Sequence, residues 1–353
     1  MTLPLPWWTW PLALPAGLLY RALVALRLAL YRWGWLRAAP TPVPVIAVGN
    51  LTVGGAGKTP LVRALVRLAL EAGLRPAIQS RGYGRRTRAD LQRVRLADGS
   101  PVDPVALGDE PAMLALAEPE TPVYIGARRT DAVRLAWAWE QPDVIVADDA
   151  FQHLRLARAC NVLLIDAERG LGNGRMAPWG PLREPLGQWR RADVIVLTKA
   201  NLGEPEALEQ RLRGEWGVTV PILRSDHVAA GLERLDGGER LAPAALAGRD
   251  VALVSGIAQP RGFARLLETL GARVGAHLAG ADHQAYAGAA MARVHALLAE
   301  AERTDTLVVT TAKDAVKLRG RVPDPARLWV LALEARLSPQ ARAYFFALLG
   351  KFG

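Results

Sequence analysis

The segment from Val45 to Pro60 constrains the fold more than any other part of the sequence. An apolar run typical of a strand leads into a glycine-rich turn, and Lys58 and Thr59 then open a helical pattern. In such a loop, backbone N–H groups face a polyphosphate, the lysine reaches the outer phosphates and the threonine hydroxyl ligates magnesium. The strict motif has glycine where Thr52 stands, but the strand and helix on either side still favour phosphate binding. The residues predicted to contact the nucleotide are Thr52, Val53, Gly54, Gly55, Ala56, Gly57, Lys58 and Thr59.

Strand-like and helical segments alternate along most of the chain, which predicts an α/β fold with a parallel sheet. The first strands are expected at 43–48, 76–80, 122–126, 143–147, 161–165, 193–197 and 219–223. A second alternation follows, with strands expected at 250–254, 273–278, 306–310 and 328–332. We therefore expect an N-terminal helical segment over 1–40, a P-loop domain over 41–225 and a smaller α/β domain over 226–353.

Acidic residues at the ends of two predicted elements are candidates for chemistry. Asp148 and Asp149 end an apolar strand, as in a magnesium-holding Walker B element. Gln152 and His153 follow them and either contact substrate or cap the turn. Asp109 precedes a helix, where the residues alone favour an N-cap and leave a general base as the alternative.

Two loops after strands suit binding. Arg81 and Tyr83 lie in a glycine-containing segment with further arginines, which suits a phosphate or a sugar. The segment 172–185 is long and without predicted structure, a length that usually indicates function. Four of the five lysines also follow strand-like runs, where a compact positive charge is useful; they are Lys58, Lys199, Lys313 and Lys317.

The charge pattern argues against nucleic acid as the partner. The formal net charge is +10, and the excess lies in 1–40 and in 75–95. The first block belongs to an apolar, tryptophan-containing segment, so anionic lipid or a phosphorylated substrate explains the charge better. Prolines predict that its helix starts near Pro15, and the arginines that follow favour a helix lying in the membrane interface. The alternative is that the arginines are merely solvated.

The sequence does not indicate a zinc site, because its cysteine and histidines are not spaced like metal ligands. The lone Cys160 excludes an intrachain disulfide and fits a reducing compartment. His283 lies in a polar loop after a predicted strand, where catalytic groups are often found. No segment indicates a protein partner.

Seven segments together resemble the tetraacyldisaccharide 4'-kinases of lipid A biosynthesis, and they occur in the order of that family. They are 49–60, 80–84, 108–111, 148–153, 180–184, 282–283 and 310–317. The resemblance implies transfer of the ATP γ-phosphate to the 4'-hydroxyl of a tetraacyldisaccharide 1-phosphate, giving lipid IVA. It also implies an enzyme peripheral or monotopic on the cytoplasmic face of the inner membrane, with its site between two α/β units.

The resemblance also implies roles for individual residues. Asp109 is the expected base, paired with His283, and Lys58 and Arg183 are expected to act on the transferring group. Magnesium is expected on Thr59, on Asp148 or Asp149, and on Glu184. The acceptor is expected to contact Arg81, Tyr83, Glu110, Gln152 and His153.

Two other classes of protein share parts of this pattern. The segment from Val196 to Asn201 echoes the guanine-reading element of a GTPase switch or metallochaperone. Asn201, however, replaces the aspartate that would accept two hydrogen bonds from guanine. The other class is a membrane-associated partitioning ATPase, which would hydrolyse ATP without a lipid acceptor.

Overall fold

The computed structural model describes residues 10–83, 85, 91–100, 102–281 and 284–353, and these form a 13-stranded sheet with helices packed on it. The strands are β1 (Val45–Asn50), β2 (Pro76–Ser80), β3 (Leu91–Val94), β4 (Val123–Gly126), β5 (Val144–Ala147), β6 (Cys160–Asp166), β7 (Val194–Thr198), β8 (Ile222–Arg234), β9 (Arg240–Leu241), β10 (Asp250–Ser255), β11 (Arg273–Ala279), β12 (Leu307–Thr311) and β13 (Leu328–Leu337). The helices are α1 (Trp10–Arg32), α2 (Lys58–Glu71), α3 (Pro104–Leu107), α4 (Asp109–Ala117), α5 (Arg129–Glu140), α6 (Pro205–Gly214), α7 (Pro260–Thr269), α8 (Ala289–Arg303), α9 (Ala312–Leu318) and α10 (Pro339–Leu349).

The sheet is mostly parallel, as the alternation of elements predicted. Its strand order is β11-β10-β12-β13-β8-β7-β6-β1-β5-β2-β4-β3, with β9 beside β8. Antiparallel pairing occurs only where β8 meets β13 and β9 and where β3 meets β4, among the described strands. Strand β1 lies between β5 and β6, so the loops after these three strands meet at one edge of the sheet, where ligands of such folds bind.

Both faces of the central strand β1 are covered, which explains why its apolar run is continuous instead of alternating. Ile46 and Val48 pack into one hydrophobic core with Leu61 and Leu65 of α2. Val45 and Ala47 belong to another core with residues of α5. The phosphate loop therefore starts from a fully buried strand and ends in a helix anchored on the same sheet.

The C-terminal part contains two hydrophobic cores of its own, formed by residues from 229 onward. Strand β8 nevertheless runs through residue 226, where we expected the second unit to begin, and is longer than the predicted 219–223. Helix α10 also returns to the first part, where Phe345 is fully buried in the core of α2. The division into domains at 226 stays a prediction.

The N-terminal helix starts earlier than predicted. Helix α1 begins at Trp10 and contains Pro15, so the expected start near Pro15 was wrong. Pro15 lies in the second turn of the helix. Its missing N–H costs one backbone hydrogen bond, close to the helix end where the first N–H groups have no partner within the helix. The stretch Leu14–Arg32 is long and apolar enough to cross a membrane, and 6% of it is buried against the rest of the described chain.

Candidate active site

The loop between β1 and α2 has the geometry of a phosphate-binding loop. Gly57 precedes α2 with φ +72°, a conformation that strains any residue with a Cβ atom. A side chain there would also meet the imidazole of His227 at 3.4 Å. The Nζ atom of buried Lys58 lies 3.3 Å from Oδ1 of Asn50 and 3.5 Å from Oδ1 of Asp149. The lysine is thus held at the loop mouth beside the Asp148–Asp149 pair.

The long segment 172–185 contains no strand or helix and is bound to the phosphate loop by backbone hydrogen bonds. The N–H of Val53 donates to the carbonyl oxygen of Pro181, and the N–H of Arg183 donates to that of Leu51, both at 2.7 Å. Arg183 is thereby held next to the loop. Its Nη1 atom lies 3.1 Å from both carboxylate oxygens of Asp149. Lys58 and Arg183 therefore both contact the carboxylate of Asp149, and their roles in catalysis stay predictions.

The two aspartates after β5 have opposite electrostatic environments. Burial, with the charges of Glu110 and Asp149, raises the pKa of Asp148 to about 7. Burial also acts to raise the pKa of Asp149, but Lys58 and Arg183 outweigh it and hold that pKa below its usual value. Both carboxylate oxygens of Asp148 are buried and have no hydrogen-bond partner among the described residues. An unpartnered carboxylate beside a phosphate loop fits a hard divalent cation such as Mg²⁺, which prefers oxygen ligands.

Glu184 occupies a different environment from the aspartates. Its carboxylate is buried and forms an ion pair with Arg191. Within the described ranges, no group of three or more His, Cys, Asp or Glu residues is arranged to hold a metal. The expected contact of Glu184 with magnesium therefore stays a prediction, as does that of Thr59 at the start of α2.

Asp109 is the first residue of α4, and Gly108 occupies the N-cap position. The capping role that the residues alone favoured was wrong, because the backbone needs φ +93° at position 108 and glycine supplies it. The Oδ2 atom of Asp109 instead lies 2.7 Å from Nζ of Lys317, with both side chains largely buried. Lys317 belongs to α9, so this ion pair joins the N-terminal and C-terminal parts of the chain.

A cavity of about 300 Å³ opens beside Asp149, and arginines dominate its wall. The lining residues are Arg27, Arg81, Arg129, Asp149, Gln152, His153 and Arg183. Burial and the nearby arginines, Arg129 and Arg27 first, lower the pKa of His153 to about 4. His153 is therefore neutral at pH 7 and can exchange hydrogen bonds with a hydroxyl, while the arginines favour an anion.

The residues predicted to bind the acceptor are only partly brought together. Arg81, Gln152 and His153 line the cavity, and Gln152 also donates from Nε2 to the carbonyl oxygen of Asn50 at 2.9 Å. Glu110 lies near enough to Asp148 to act on its pKa, and the Tyr83 side chain is 68% exposed. His283 lies outside the described residues.

Two arginines of this site were missed in the sequence. Arg129 is almost fully buried and donates to Oε1 of Gln79 at 2.6 Å and to the carbonyl oxygen of Asp149 at 2.8 Å. Arg129 follows the carboxyl end of β4. Because ligands bind at the carboxyl ends of parallel strands, this position could have identified Arg129 as a candidate from the sequence. Arg27 comes from the N-terminal helix, and only the packing of that helix brings it to the cavity.

The resemblance to a guanine-reading element does not extend to the geometry. The side chain of Asn201 both donates to and accepts from the backbone of His227 at 2.9 Å, so its amide is engaged within the protein. Lys199 is paired with Asp166 at 2.6 Å. Both side chains are thus engaged by other residues of the protein.

Residues 8–350 match the family model described as tetraacyldisaccharide-1-P 4'-kinase. The chain belongs to this family. A tetraacyldisaccharide 4'-kinase from Anaeromyxobacter sp. (strain K) is 42% identical over 325 residues, covering 90% of this chain and 84% of the relative. One from Syntrophus aciditrophicus is 38% identical over 334 residues, covering 92% and 88%.

A solved structure agrees with the fold of this family member. LpxK from Aquifex aeolicus, crystallised in complex with ATP, superposes with a TM-score of 0.77 at 30% identity. The superposition covers 96% of this chain and 98% of the other. The resemblance drawn from the sequence and the predicted α/β class with a large, mostly parallel sheet are confirmed.

Proposed function

We propose that this chain transfers the γ-phosphate of ATP to the 4'-hydroxyl of a tetraacyldisaccharide 1-phosphate, forming the 1,4'-bisphosphate known as lipid IVA. One observation carries the proposal: Lys58 of the phosphate loop and Arg183 of the cavity wall meet at Asp149. A nucleotide phosphate bound near Lys58 and an anionic sugar bound near Arg183 would thus lie on either side of the Asp149 carboxylate. Membership of the kinase family and the ATP-bound relative support the same reading.

The residues at the loop would position and neutralise the phosphate chain. The N–H groups of 52–59 would hold the β- and γ-phosphates, and Lys58 would neutralise their outer oxygens. Asp148 or Asp149 with Thr59, and Glu184 as a further candidate, would hold Mg²⁺. When bound, Mg²⁺ offsets charge on the β- and γ-phosphate oxygens. Phosphoryl transfer needs little else from a protein than such positioning and charge.

The acceptor would enter from the arginine-lined cavity. We assign Asp109 as the base that takes the proton of the 4'-hydroxyl, with Lys317 holding that carboxylate in place through the 2.7 Å ion pair and His283 as its expected partner. The hydroxyl oxygen then bonds to the γ-phosphorus as the bond to the β–γ bridging oxygen breaks, and ADP leaves. Arg183 would neutralise charge on the transferring group. Arg81, Tyr83, Glu110, Gln152 and His153 would contact the sugar and its phosphate.

An acceptor with four acyl chains stays in a bilayer, so the enzyme must reach it there. One face of α1 exposes Leu18, Leu19, Leu23 and Leu26. We assign this helix to the cytoplasmic face of the inner membrane, with the chain bound peripherally or monotopically and the leucines in the lipid. The proposed partners are the acylated disaccharide phosphate and the membrane surface.

The proposal is tested by incubating the protein with γ-labelled ATP and disaccharide 1-phosphate in detergent micelles. The expected result is label on the glycolipid, with GTP a much poorer donor. Label released only as inorganic phosphate, at the same rate without the glycolipid, would favour a partitioning-type ATPase. Equal use of GTP would favour the GTPase class.

The role of Asp109 is tested separately. The Asp109→Asn variant keeps the shape but not the basicity, so turnover should fall by about 10²–10⁴ while the KM for ATP stays close to wild type. Asp103→Asn is the matched control, since Asp103 caps the neighbouring helix α3 and asparagine caps as well. Normal turnover of Asp109→Asn would remove Asp109 from the mechanism.

A further inference from the structure

Helix α1 does more than present leucines, because two of its side chains reach backbone carbonyls of the cavity loops. The hydroxyl of Tyr20 donates to the carbonyl oxygen of Arg183 at 2.7 Å. Nη2 of Arg27 donates to the carbonyl oxygen of Gln152 at 2.8 Å. The side chains of Arg27, Gln152 and Arg183 all line the cavity.

The same face of α1 also packs against the residues just before Arg183. Gly17 lies so close to them that a Cβ atom there would come within 2.5 Å of the ring of Trp179. The guanidinium of Arg21 lies 5.9 Å from the centre of that ring, within range of a cation–π contact. Gly17, Tyr20 and Arg21 are spaced as one face of a helix, whereas Leu19, a residue between them, points outward.

Two series of contacts connect α1 to residues of the phosphate loop. Tyr20 holds the carbonyl of Arg183, the Arg183 guanidinium binds Asp149, and Asp149 lies beside Lys58. Gln152, held by Arg27, binds the carbonyl of Asn50 at the end of β1. Both routes end at the phosphate loop.

We infer that Tyr20 and Arg27 are positioning residues: they make α1 a brace that fixes the Gln152 and Arg183 loops around the acceptor, in addition to any role in the membrane. This inference rests on the proposed kinase function. A helix that only anchors the protein needs apolar area, and its hydrogen bonds to these loops would be dispensable. A brace needs the hydroxyl of Tyr20 and the guanidinium of Arg27.

The test uses full-length protein in mixed micelles and changes one bond at a time. Tyr20→Phe removes only the hydroxyl and leaves the helix at least as apolar, and Arg27→Met removes the guanidinium. The matched controls are Tyr31→Phe and Arg32→Met, which remove the same groups from side chains of the same helix that neither line the cavity nor bond to its loops within the described residues. Arg27→Lys is the conservative variant, since it keeps the charge and a donor.

We expect Tyr20→Phe to lower kcat/KM for the disaccharide about fivefold and Arg27→Met about tenfold or more, the effect of losing a neutral or a charged hydrogen bond. Arg27→Lys should restore part of the loss. The KM for ATP, the melting temperature and flotation with anionic vesicles should match those of the two controls.

The inference and the proposed function fail in different ways. If wild-type protein transfers no label to the disaccharide, the proposed function is wrong. If wild-type protein is active and Tyr20→Phe and Arg27→Met behave like the controls, α1 is only an anchor. Loss of activity in proportion to vesicle binding, or together with ATP affinity, would overturn the brace as well.

Discussion

Replacing Arg183 separates a role in chemistry from a role in structure. The guanidinium binds Asp149 at 3.1 Å, but the two side chains are 28% and 30% exposed. An ion pair this open to solvent contributes only about 0.5–1 kcal/mol to stability. Arg183→Met should therefore lower the melting temperature by no more than about 2–4 °C.

The expected effect on turnover is far larger. A guanidinium about 4 Å from the charge of the transferring phosphoryl group interacts with it by about 4 kcal/mol at an effective dielectric constant near 20. Removing that interaction from the transition state corresponds to about a 10³-fold lower kcat. Arg183→Lys keeps the charge without the planar fork, so its kcat should lie between those of wild type and Arg183→Met.

Steady-state kinetics with labelled ATP, together with thermal unfolding, measure both effects. A kcat of Arg183→Met within threefold of wild type would refute the assignment of Arg183 to the transferring group. So would a loss found entirely in the KM for ATP, because Arg183 would then only neutralise Asp149 at the nucleotide site.

Three further outcomes are expected from the same structure. Lys317→Met leaves the Asp109 carboxylate without its ammonium partner and should cost about 2–3 kcal/mol of unfolding free energy. Chemical denaturation should show most of that cost recovered in a double variant with Asp109→Asn, and additive losses would mean that the two groups do not interact. Burial and, after it, the positive charge of Lys199 lower the pKa of His227 in the folded state to about 4. As the pH falls from 6.5 to 4, the unfolded state therefore takes up a proton that the folded state does not. Stability should therefore drop by about 3 kcal/mol across that window, and His227→Gln should flatten the pH profile; an unchanged profile would contradict the burial of His227 in its neutral form. Phe345→Ala should cost about 3–5 kcal/mol because α10 fills the core of α2, and a loss below 1 kcal/mol would show that α10 does not pack there.

Much of the fold could be predicted because its signals are local. Strand β5 was expected at 143–147 and lies at Val144–Ala147, since a buried parallel strand is a continuous apolar run bounded by polar residues. The phosphate loop was predictable for the same reason, because its glycines, Lys58 and Thr59 are adjacent in the chain. The strand order was not predictable, because pairing of β8 with β13 depends on contacts about a hundred residues apart.

The candidate site likewise has parts that local sequence could predict and parts that depend on the tertiary fold. The segments with Asp148 and Arg183 were found because each has its own sequence pattern, but their meeting at one edge of the sheet depends on topology. The partner of Asp109 could not be predicted, because Lys317 belongs to a distant helix. Arg27 was seen only as a basic residue of a membrane segment, since nothing local shows which loop a helix packs against.

The central claim is that the γ-phosphate of a nucleotide on the loop around Lys58 passes to a sugar held in the arginine-lined cavity. The most direct measurement follows label from γ-labelled ATP into the disaccharide 1-phosphate, with wild-type protein and Lys58→Ala side by side. We expect wild type to form the labelled bisphosphate and Lys58→Ala, assayed well below its melting temperature, to lose nearly all transfer. Full transfer by Lys58→Ala would contradict the claim.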